Sequence, residues 1–286
     1  MELTWDRLTA WAIRPTVVTA AVAFVLFAVV LGPVERVWGK RPRTRRPGLR
    51  TDLLFWAFTP LVGKAATYAA VAGVVAGLMA LTGRQLDPFS AAGWGPVGRQ
   101  PLWLQAVEVF VLADLVFYWT HRWFHTTRLW PFHAVHHSST ALDWLSSMRF
   151  HPVNDAASRV CQAVPLVLLG FAPAAVVCAI PVVVAFIVVT HADVPWTWGP
   201  LRYVFVSPAY HHWHHSSEPE AVDKNFAGAL VVWDWLFGTL HLPAGRRPAA
   251  YGVSGGPVPG GFLGLLAYPF LALARRGRWP APRGPA

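Results

Sequence analysis

Four stretches of apolar residues organise the chain, and polar or proline-containing segments separate them. Residues 16–34 are uncharged and have the length needed to cross a hydrocarbon core of roughly 30 Å. Residues 53–82 form a second stretch, either one tilted span with a break near Pro60 and Lys64 or an interfacial piece followed by a span, and in both cases we expect one crossing. After a loop at 83–101, residues 102–120 are predicted to cross back.

The fourth apolar stretch, residues 160–190, is too short for two comfortable spans and contains three prolines and Gly170. It favours a broken helical hairpin that enters the membrane and returns to the same face. Residues 191–261 are more polar and predict a cap. Residues 262–274 predict an interfacial helix, because about 13 apolar residues are too few to span. The predicted fold class is an all-α integral membrane protein with about three transmembrane helices, a broken helical hairpin and a cytoplasmic histidine-rich di-metal cap.

The composition agrees with a bilayer protein, since 55% of the 286 residues are hydrophobic and only 13% are charged. The net charge of +10 does not indicate nucleic-acid binding, because no base-reading module is visible. A basic segment after the first span marks a cytoplasmic side and attracts anionic headgroups; it contains Arg36, Lys40, Arg41, Arg43, Arg45, Arg46 and Arg50. The Arg-rich, Lys-poor composition suggests a bacterial plasma membrane, and most of the sixteen tryptophans are expected to be interfacial anchors.

The candidate chemistry lies in three histidine clusters that follow the apolar stretches. The first reads H-R-W-F-H, the second H-A-V-H-H, and the third lies within H-H-W-H-H. Histidines four apart on a helix share a face, while neighbouring ones can point at different ions. The eight imidazoles are enough for two metal ions with open positions: His121, His125, His133, His136, His137, His211, His214 and His215.

The identity of the metal is less constrained than its ligands. Cys161 and Cys178 lie in apolar sequence without a C-x-x-C spacing, so a thiolate zinc site is not favoured. No Glu-x-x-His pair of the kind found in soluble di-iron bundles occurs. A nitrogen-rich site with two iron ions suits oxidative chemistry, and zinc stays possible in a purified form.

The histidine motifs and the sequences around them resemble the fatty acid hydroxylase/sterol desaturase superfamily of integral membrane di-iron oxygenases. The likeness includes H-H-S-S-T-A-L-D-W-L-S-S-M-R-F-H-P from His136 to Pro152, D-K-N-F-A-G from Asp223, and W-D-W-L-F-G-T ending at Thr239. It covers about residues 50–243. We therefore expect an N-terminal transmembrane helix and basic cytoplasmic loop at 1–50, a catalytic domain at 51–243, and a C-terminal tail with the interfacial helix at 244–286.

The resemblance implies O2-dependent hydroxylation or desaturation of an unactivated C–H bond in a membrane lipid such as a sterol, fatty acyl chain or carotenoid. It implies that the eight motif histidines ligate two irons and that His191, in T-H-A-D, is a further ligand. His212 occupies a variable motif position, where contact with a ligand ring or the substrate is expected rather than ligation. His151 resembles a position near the site, and a structural hydrogen bond is its favoured role. His241 lies outside every motif and is expected to be an ordinary surface residue. A separate electron donor is implied, either a ferredoxin, a cytochrome or a reductase.

Imidazole ligands need an acceptor at the outer ring nitrogen, so nearby carboxylates and amides are candidates for that role. Asp114 lies near the end of the third span, where an unpaired charge is costly. The other candidates are Asp143, Asp223, Asn225 and Asp234.

Two other classes of function stay open at the level of sequence. A zinc-dependent membrane hydrolase would use the same imidazoles to activate water, although no H-E-x-x-H base is present. A non-enzymatic metal-binding membrane protein would need polar ligands inside the spans, which the stretches 16–34 and 160–190 hardly provide.

Overall fold

The computed structural model describes residues 13–39, 46–83, 93–253 and 258–274. Within these ranges the regular secondary structure is helical. The helices are α1 (Arg14–Trp38), α2 (Leu49–Thr82), α3 (Gly95–Gly98), α4 (Leu102–Thr126), α5 (Trp130–His137), α6 (Pro152–Leu169), α7 (Pro173–His191), α8 (Pro208–His214), α9 (Val232–Leu236) and α10 (Phe262–Ala274). Three short 3₁₀ helices lie at Trp144–Met148, Gly199–Tyr203 and Pro219–Ala221. The described residues contain isolated β-bridges but no strand, which confirms the all-α fold class.

Four helices, α1, α2, α4 and α7, are long and apolar enough to cross a membrane. Most of their side chains face outward, as expected where lipid rather than protein covers them. The chain is an integral membrane protein. The side of the membrane on which the cap lies stays a prediction, because four basic residues that carry it (Lys40, Arg41, Arg43 and Arg45) lie outside the described residues.

Helix α2 is continuous, so the predicted break near Pro60 and Lys64 is wrong. At 34 residues it is about 51 Å long, well beyond the thickness of the hydrocarbon core. Its N-terminal turns therefore leave the membrane and enter the cap, where Phe55 and Trp56 are buried. Proline is accommodated here without a break in the assigned helix.

The predicted hairpin is present as α6 and α7, joined by a tight turn at Gly170 in the left-handed conformation (φ 86°). The tip reaches the loop before α4, where the amide of Trp94 donates to the Gly170 carbonyl at 2.9 Å. A side chain at Gly170 would overlap Trp94, so glycine satisfies both the backbone angle and the close approach. Because this loop precedes α4, the hairpin extends as deep as the start of that span.

The cap packs on the ends of the spans and positions the histidine-bearing segments. Helix α10 lies against α5 and α2, and its Leu265 and Tyr268 share a core with Phe55, Ala134 and Val135. The helix predicted to lie at the interface is thus also part of the support for the second histidine motif. The division of the chain into domains at residues 50 and 243 stays a prediction.

Glu35, at the end of α1, ties two cap segments to the first span. One of its carboxylate oxygens accepts the backbone amide of Trp144 at 3.0 Å and that of Asp193 at 2.9 Å. Asp193 follows His191 by two residues. A single glutamate therefore fixes the exit of α7 relative to the segment after the second motif.

A buried ion-pair network joins the basic segment to the cap. Arg149 and Arg46 both contact Asp52, at 2.5 and 2.6 Å, and Arg46 also contacts Asp143 at 2.5 Å. Asp52 is fully buried, and Arg149 donates in addition to the Ser138 hydroxyl beside the second motif. Arg46 is therefore a structural ion-pair partner rather than a free contact for lipid headgroups.

Removing one member of this network should leave a buried carboxylate undercompensated. We expect Arg149→Met to lower the free energy of unfolding by about 3–5 kcal/mol, measured by SDS titration in mixed micelles. The matched control is Arg246→Met, which removes a half-exposed guanidinium that pairs with Glu218 and Glu220 and should cost at most about 1 kcal/mol. Equal losses in the two variants would contradict a special role for the buried network.

Candidate metal centre

Nine histidines form two adjoining groups where the ends of α4 and α7 meet the cap. The first group, A, has five members and the second, B, has four; in each group the candidate ligand atoms lie within 4.8 Å of one another. Every member is buried. Group A is His121, His125, His133, His137 and His214; group B is His136, His191, His211 and His215.

Helical geometry explains how neighbouring histidines enter different groups. In α5, His133 and His137 lie one turn apart and join group A, while His136 points to group B. In α8 and the residue that follows it, His211 and His215 join group B and His214 joins group A. The two groups are in direct contact, because the rings of His137 and His215 stack with their centroids 4.4 Å apart.

In both groups the Nε2 atoms converge. In group A, Nε2 of His121 lies 2.9 Å from Nε2 of His133, and Nε2 of His125 lies 3.1 Å from that of His137. In group B, Nε2 of His191 lies 3.3 Å from that of His136 and 3.2 Å from that of His211. Two nitrogens bound in neighbouring positions at about 2.0–2.1 Å from one metal would be about 3 Å apart, so the spacing fits a ligand set.

The outer nitrogens determine which ring atom is free to bind metal. Nδ1 of His121 faces the Phe226 carbonyl at 2.7 Å, and Nδ1 of His133 faces the Asn154 amide oxygen at 2.8 Å. Because both oxygens only accept, each Nδ1–H must donate, and Nε2 of a neutral ring then carries a lone pair. Two lone pairs 2.9 Å apart repel each other unless a proton or a cation lies between them.

The same reasoning applies to two further histidines. Nδ1 of His214 donates to the Lys224 carbonyl at 2.9 Å, which leaves its buried Nε2 without a hydrogen-bond partner among the described residues. Nδ1 of His191 donates to the Ile187 carbonyl at 2.6 Å, so its Nε2 also faces group B as an acceptor. A divalent cation in each group would satisfy these lone pairs together.

Protonation of the rings is a poor alternative to a bound metal ion at this site. Burial lowers the pKa of His133 to about 3 and that of His214 to about 4, and it places the pKa of His136, His211 and His215 well below the usual range. The rings are therefore neutral near pH 7, the form in which imidazole binds metal. The residues present fit two nitrogen-ligated metal ions; ligation itself stays a prediction.

Asn154 is the contact that sequence reasoning missed. It lies in the first turn of α6, three residues after His151, and it is buried against His133. The available signal in the sequence was an asparagine two residues after H-P, because an amide oxygen there can accept a hydrogen bond from a motif histidine. The carbonyl acceptors at Phe226, Lys224 and Ile187 could not be read from side-chain identity.

Two of the predicted carboxylates hold the loop that carries the Phe226 carbonyl. Asp114 accepts the amides of Ala229 and Leu230, each at 2.8 Å, and Asp234 accepts the amides of Phe226 and Ala227 at 2.8 and 2.7 Å. Asp234 also accepts the Tyr210 hydroxyl. Asp114 and Asp234 therefore position the Phe226 carbonyl against His121 and touch no ligand ring themselves.

Gly228 and Asn225 allow this loop to follow its tight path. A Cβ at Gly228 would lie 3.0 Å from a carboxylate oxygen of Asp114, so any larger residue would have to displace that carboxylate slightly. Asn225 adopts a left-handed conformation (φ 60°) that asparagine tolerates, and its side chain bonds to the backbone of Tyr210 and His241. Asp223, also left-handed, lies 3.4 Å from Nδ1 of His125.

The remaining predicted residues lie outside the two groups. His151 caps α6 and bonds to the Leu266 carbonyl, and His212 uses both ring nitrogens on Tyr251 and the Ala192 carbonyl. Asp143 pairs with Arg46 and caps a 3₁₀ helix. Among the described residues, no hydrogen bond joins it to a motif histidine. His241 packs its ring on Trp213 and is partly buried.

Comparison with known proteins agrees with this arrangement. Residues 106–239 match the family model for fatty acid hydroxylase. The match includes every member of groups A and B. Residues 106–239 are a fatty acid hydroxylase domain.

The hydroxylase domain is similar to several named enzymes. Ornithine lipid hydroxylase OlsE of Rhizobium tropici is 39% identical over 180 residues, 62% of this chain and 53% of the relative. Alkylglycerol monooxygenase of Danio rerio is 33% identical over 132 residues, 46% and 29% respectively. Very-long-chain aldehyde decarbonylase GL1-11 of Oryza sativa is 30% identical over 138 residues, which are 47% of this chain and 52% of the relative. The chain thus spans about half or less of these relatives, and no solved structure matches it.

Substituting one histidine should reduce the metal content of the group to which that histidine belongs. His211→Ala leaves three imidazoles in group B, so we expect the metal content of protein purified from iron-replete cells to fall from about two ions per chain to about one. The measurement is elemental analysis, with His241→Ala as the matched control that retains both ions. Unchanged metal in His211→Ala, or an equal loss in His241→Ala, would contradict the assignment.

The side-chain amide of Asn154 should support metal binding in group A through its acceptor oxygen. We expect Asn154→Leu to weaken metal retention in group A by about 10–100-fold in a chelator competition, because Nδ1 of His133 loses its acceptor. Asn154→Asp keeps an acceptor oxygen and should retain metal nearly as the unsubstituted protein does. Equal weakening in both variants would show that the side chain acts through packing alone.

Proposed function

We propose that the protein is an O2-dependent di-iron oxygenase that hydroxylates an unactivated C–H bond in a membrane lipid. The observation that carries this proposal is the convergence of nine buried imidazoles, in two adjoining groups, at the cap end of α4 and α7. The fatty acid hydroxylase domain and relatives named as lipid hydroxylase and monooxygenase support it.

The donor set favours iron in redox chemistry over zinc in hydrolysis. All nine candidate ligands are imidazoles, and no carboxylate among the described residues is grouped with them to act as a base on bound water. Bound iron would activate O2, which is the oxidant that breaks the C–H bond, with two electrons from the separate donor. The protein residues hold the metal, exclude water and align the lipid chain.

Several residues of this chain act to keep the site rigid. Phe150 stacks on His136 with a centroid distance of 4.3 Å, and this contact orients a ring whose Nδ1 has no hydrogen-bond partner among the described residues. His212 bonds to the Ala192 carbonyl and so fixes the backbone just after His191. These contacts pre-set the ring positions and lower the cost of assembling the site.

Hydroxylation is favoured over desaturation by the relatives alone, since both reactions begin with abstraction of a hydrogen atom. The lipid should reach the site laterally from the bilayer, because the two spans that carry His121, His125 and His191 have exposed apolar side chains on their outer faces. We propose that the cap lies on the cytoplasmic face of a bacterial plasma membrane, where a separate ferredoxin, cytochrome or reductase can deliver electrons.

Isotope labelling tests the reaction. Membranes containing the protein, supplied with a reductant, a ferredoxin–reductase pair and ¹⁸O2, should yield a membrane lipid that carries one ¹⁸O atom, detected by mass spectrometry. His215→Ala should give no detectable labelled product, whereas His241→Ala should give normal amounts. Label from H2¹⁸O, with no dependence on O2, would point to a hydrolase instead.

A further inference from the structure

Six large exposed side chains form an apolar rim on the cap, outside the membrane-crossing helices. Trp235 is 71% exposed and Tyr203 is 60% exposed, which is unusual for a surface that meets only water. We name this surface the rim: Leu201, Tyr203, Val204, Val232, Trp235 and Leu236.

The two segments that carry the rim are one structural unit. The amide of Val231 donates to the Val204 carbonyl at 3.0 Å, and that of Val206 donates to the Ala229 carbonyl at 2.8 Å. Phe205 and Leu230 form an antiparallel bridge between them. The rim is therefore a continuous surface rather than a set of separate side chains.

The rim is continuous with the lipid-facing surfaces of two spans. On α4, the half-exposed Trp119 packs on Phe237, which follows Leu236, with ring centroids 4.8 Å apart. On α7, Phe186 packs on Phe205 at 5.9 Å. Leu201 and Phe205 also wall an apolar groove of about 360 Å³ together with Val189 and Phe186 of α7. Lipid that covers these spans would reach the rim without crossing a polar surface.

Tryptophans on α4 indicate the level of the rim in the membrane. Trp103 and Trp119, both exposed, lie sixteen residues apart, or about 24 Å along a helix, and Trp123 lies one turn beyond. This spacing is close to the roughly 30 Å of a hydrocarbon core, at whose edges tryptophan concentrates. Trp119 and the rim that contacts it through Phe237 therefore lie at the interface.

We infer that the rim is inserted into the interfacial layer of the bilayer, so that lipid covers this face of the cap. Arg202 lies beside the rim, with its guanidinium 4.8 Å from the centre of the Tyr203 ring, where a cation suits the phosphate level of the membrane. The partner is the bilayer surface itself. This inference does not depend on the proposed reaction.

Insertion of the rim also bears on the metal centre. Trp235 and Leu236 follow Asp234 directly, and Asp234 accepts the amide of Phe226, whose carbonyl accepts Nδ1–H of His121. The membrane contact thus holds the helix that positions an acceptor of group A. It places the metal groups beside the headgroup layer rather than away from the membrane.

A depth measurement tests the inference directly. The protein, with Cys161→Ala and Cys178→Ala, is reconstituted in nanodiscs and spin-labelled at Trp235→Cys; collision rates with O2, which enriches in lipid, and with a water-soluble nickel chelate are compared. We expect the ratio of the O2 rate to the nickel rate to be several-fold higher than at the control position Glu220→Cys, on a polar part of the cap. Equal ratios at the two positions would overturn the inference.

A second measurement avoids substitution altogether. The unsubstituted protein is placed in nanodiscs whose lipids carry a photoactivated diazirine on the acyl chain near the headgroup, and adducts are mapped by mass spectrometry. Adducts should form in residues 199–205 and 231–237 and be absent from residues 216–224. Labelling confined to the four spans would contradict an inserted rim, whatever the outcome of the oxygenase test.

Discussion

The structure depends on one electrostatic constraint: neutral imidazoles whose inner nitrogens face each other need a shared cation. The Nδ1–H groups of His121 and His133 donate to oxygens that only accept, so two Nε2 lone pairs are directed at each other across 2.9 Å. Burial lowers the pKa of His133 to about 3, which disfavours protonation near pH 7. A metal ion in each group would convert this repulsion into coordination and would allow so many histidines to pack together.

Most of the remaining fold serves to hold the outer nitrogens and their acceptors. Asp114 on α4 and Asp234 on α9 together bind four amides of the loop at 226–230. Glu35 on α1 fixes the backbone near His191, and the buried network around Asp52 anchors the segment that follows the second motif. Three of the four spans, α1, α2 and α4, therefore contribute a carboxylate to the cap, where desolvation makes the hydrogen bonds strong.

Much of this could be predicted from sequence, because helical spacing and apolar length are local properties. The three spans, the hairpin and the division of His136 from His137 between groups follow from such patterns. The continuity of α2 through Pro60 could not be, since neighbouring packing decides whether a proline ends a helix. The roles of Asn154 and of the Phe226 carbonyl depend on contacts between distant segments, and Asp143 turned out to serve an ion pair instead.

The most direct test of the two-metal account is an anomalous diffraction experiment on crystals of protein from iron-replete cells, with data collected on both sides of the iron absorption edge. The account predicts two iron peaks, one enclosed by the Nε2 atoms of group A and one by those of group B. One peak shared by the two groups, or peaks whose strength does not change across the iron edge, would contradict it.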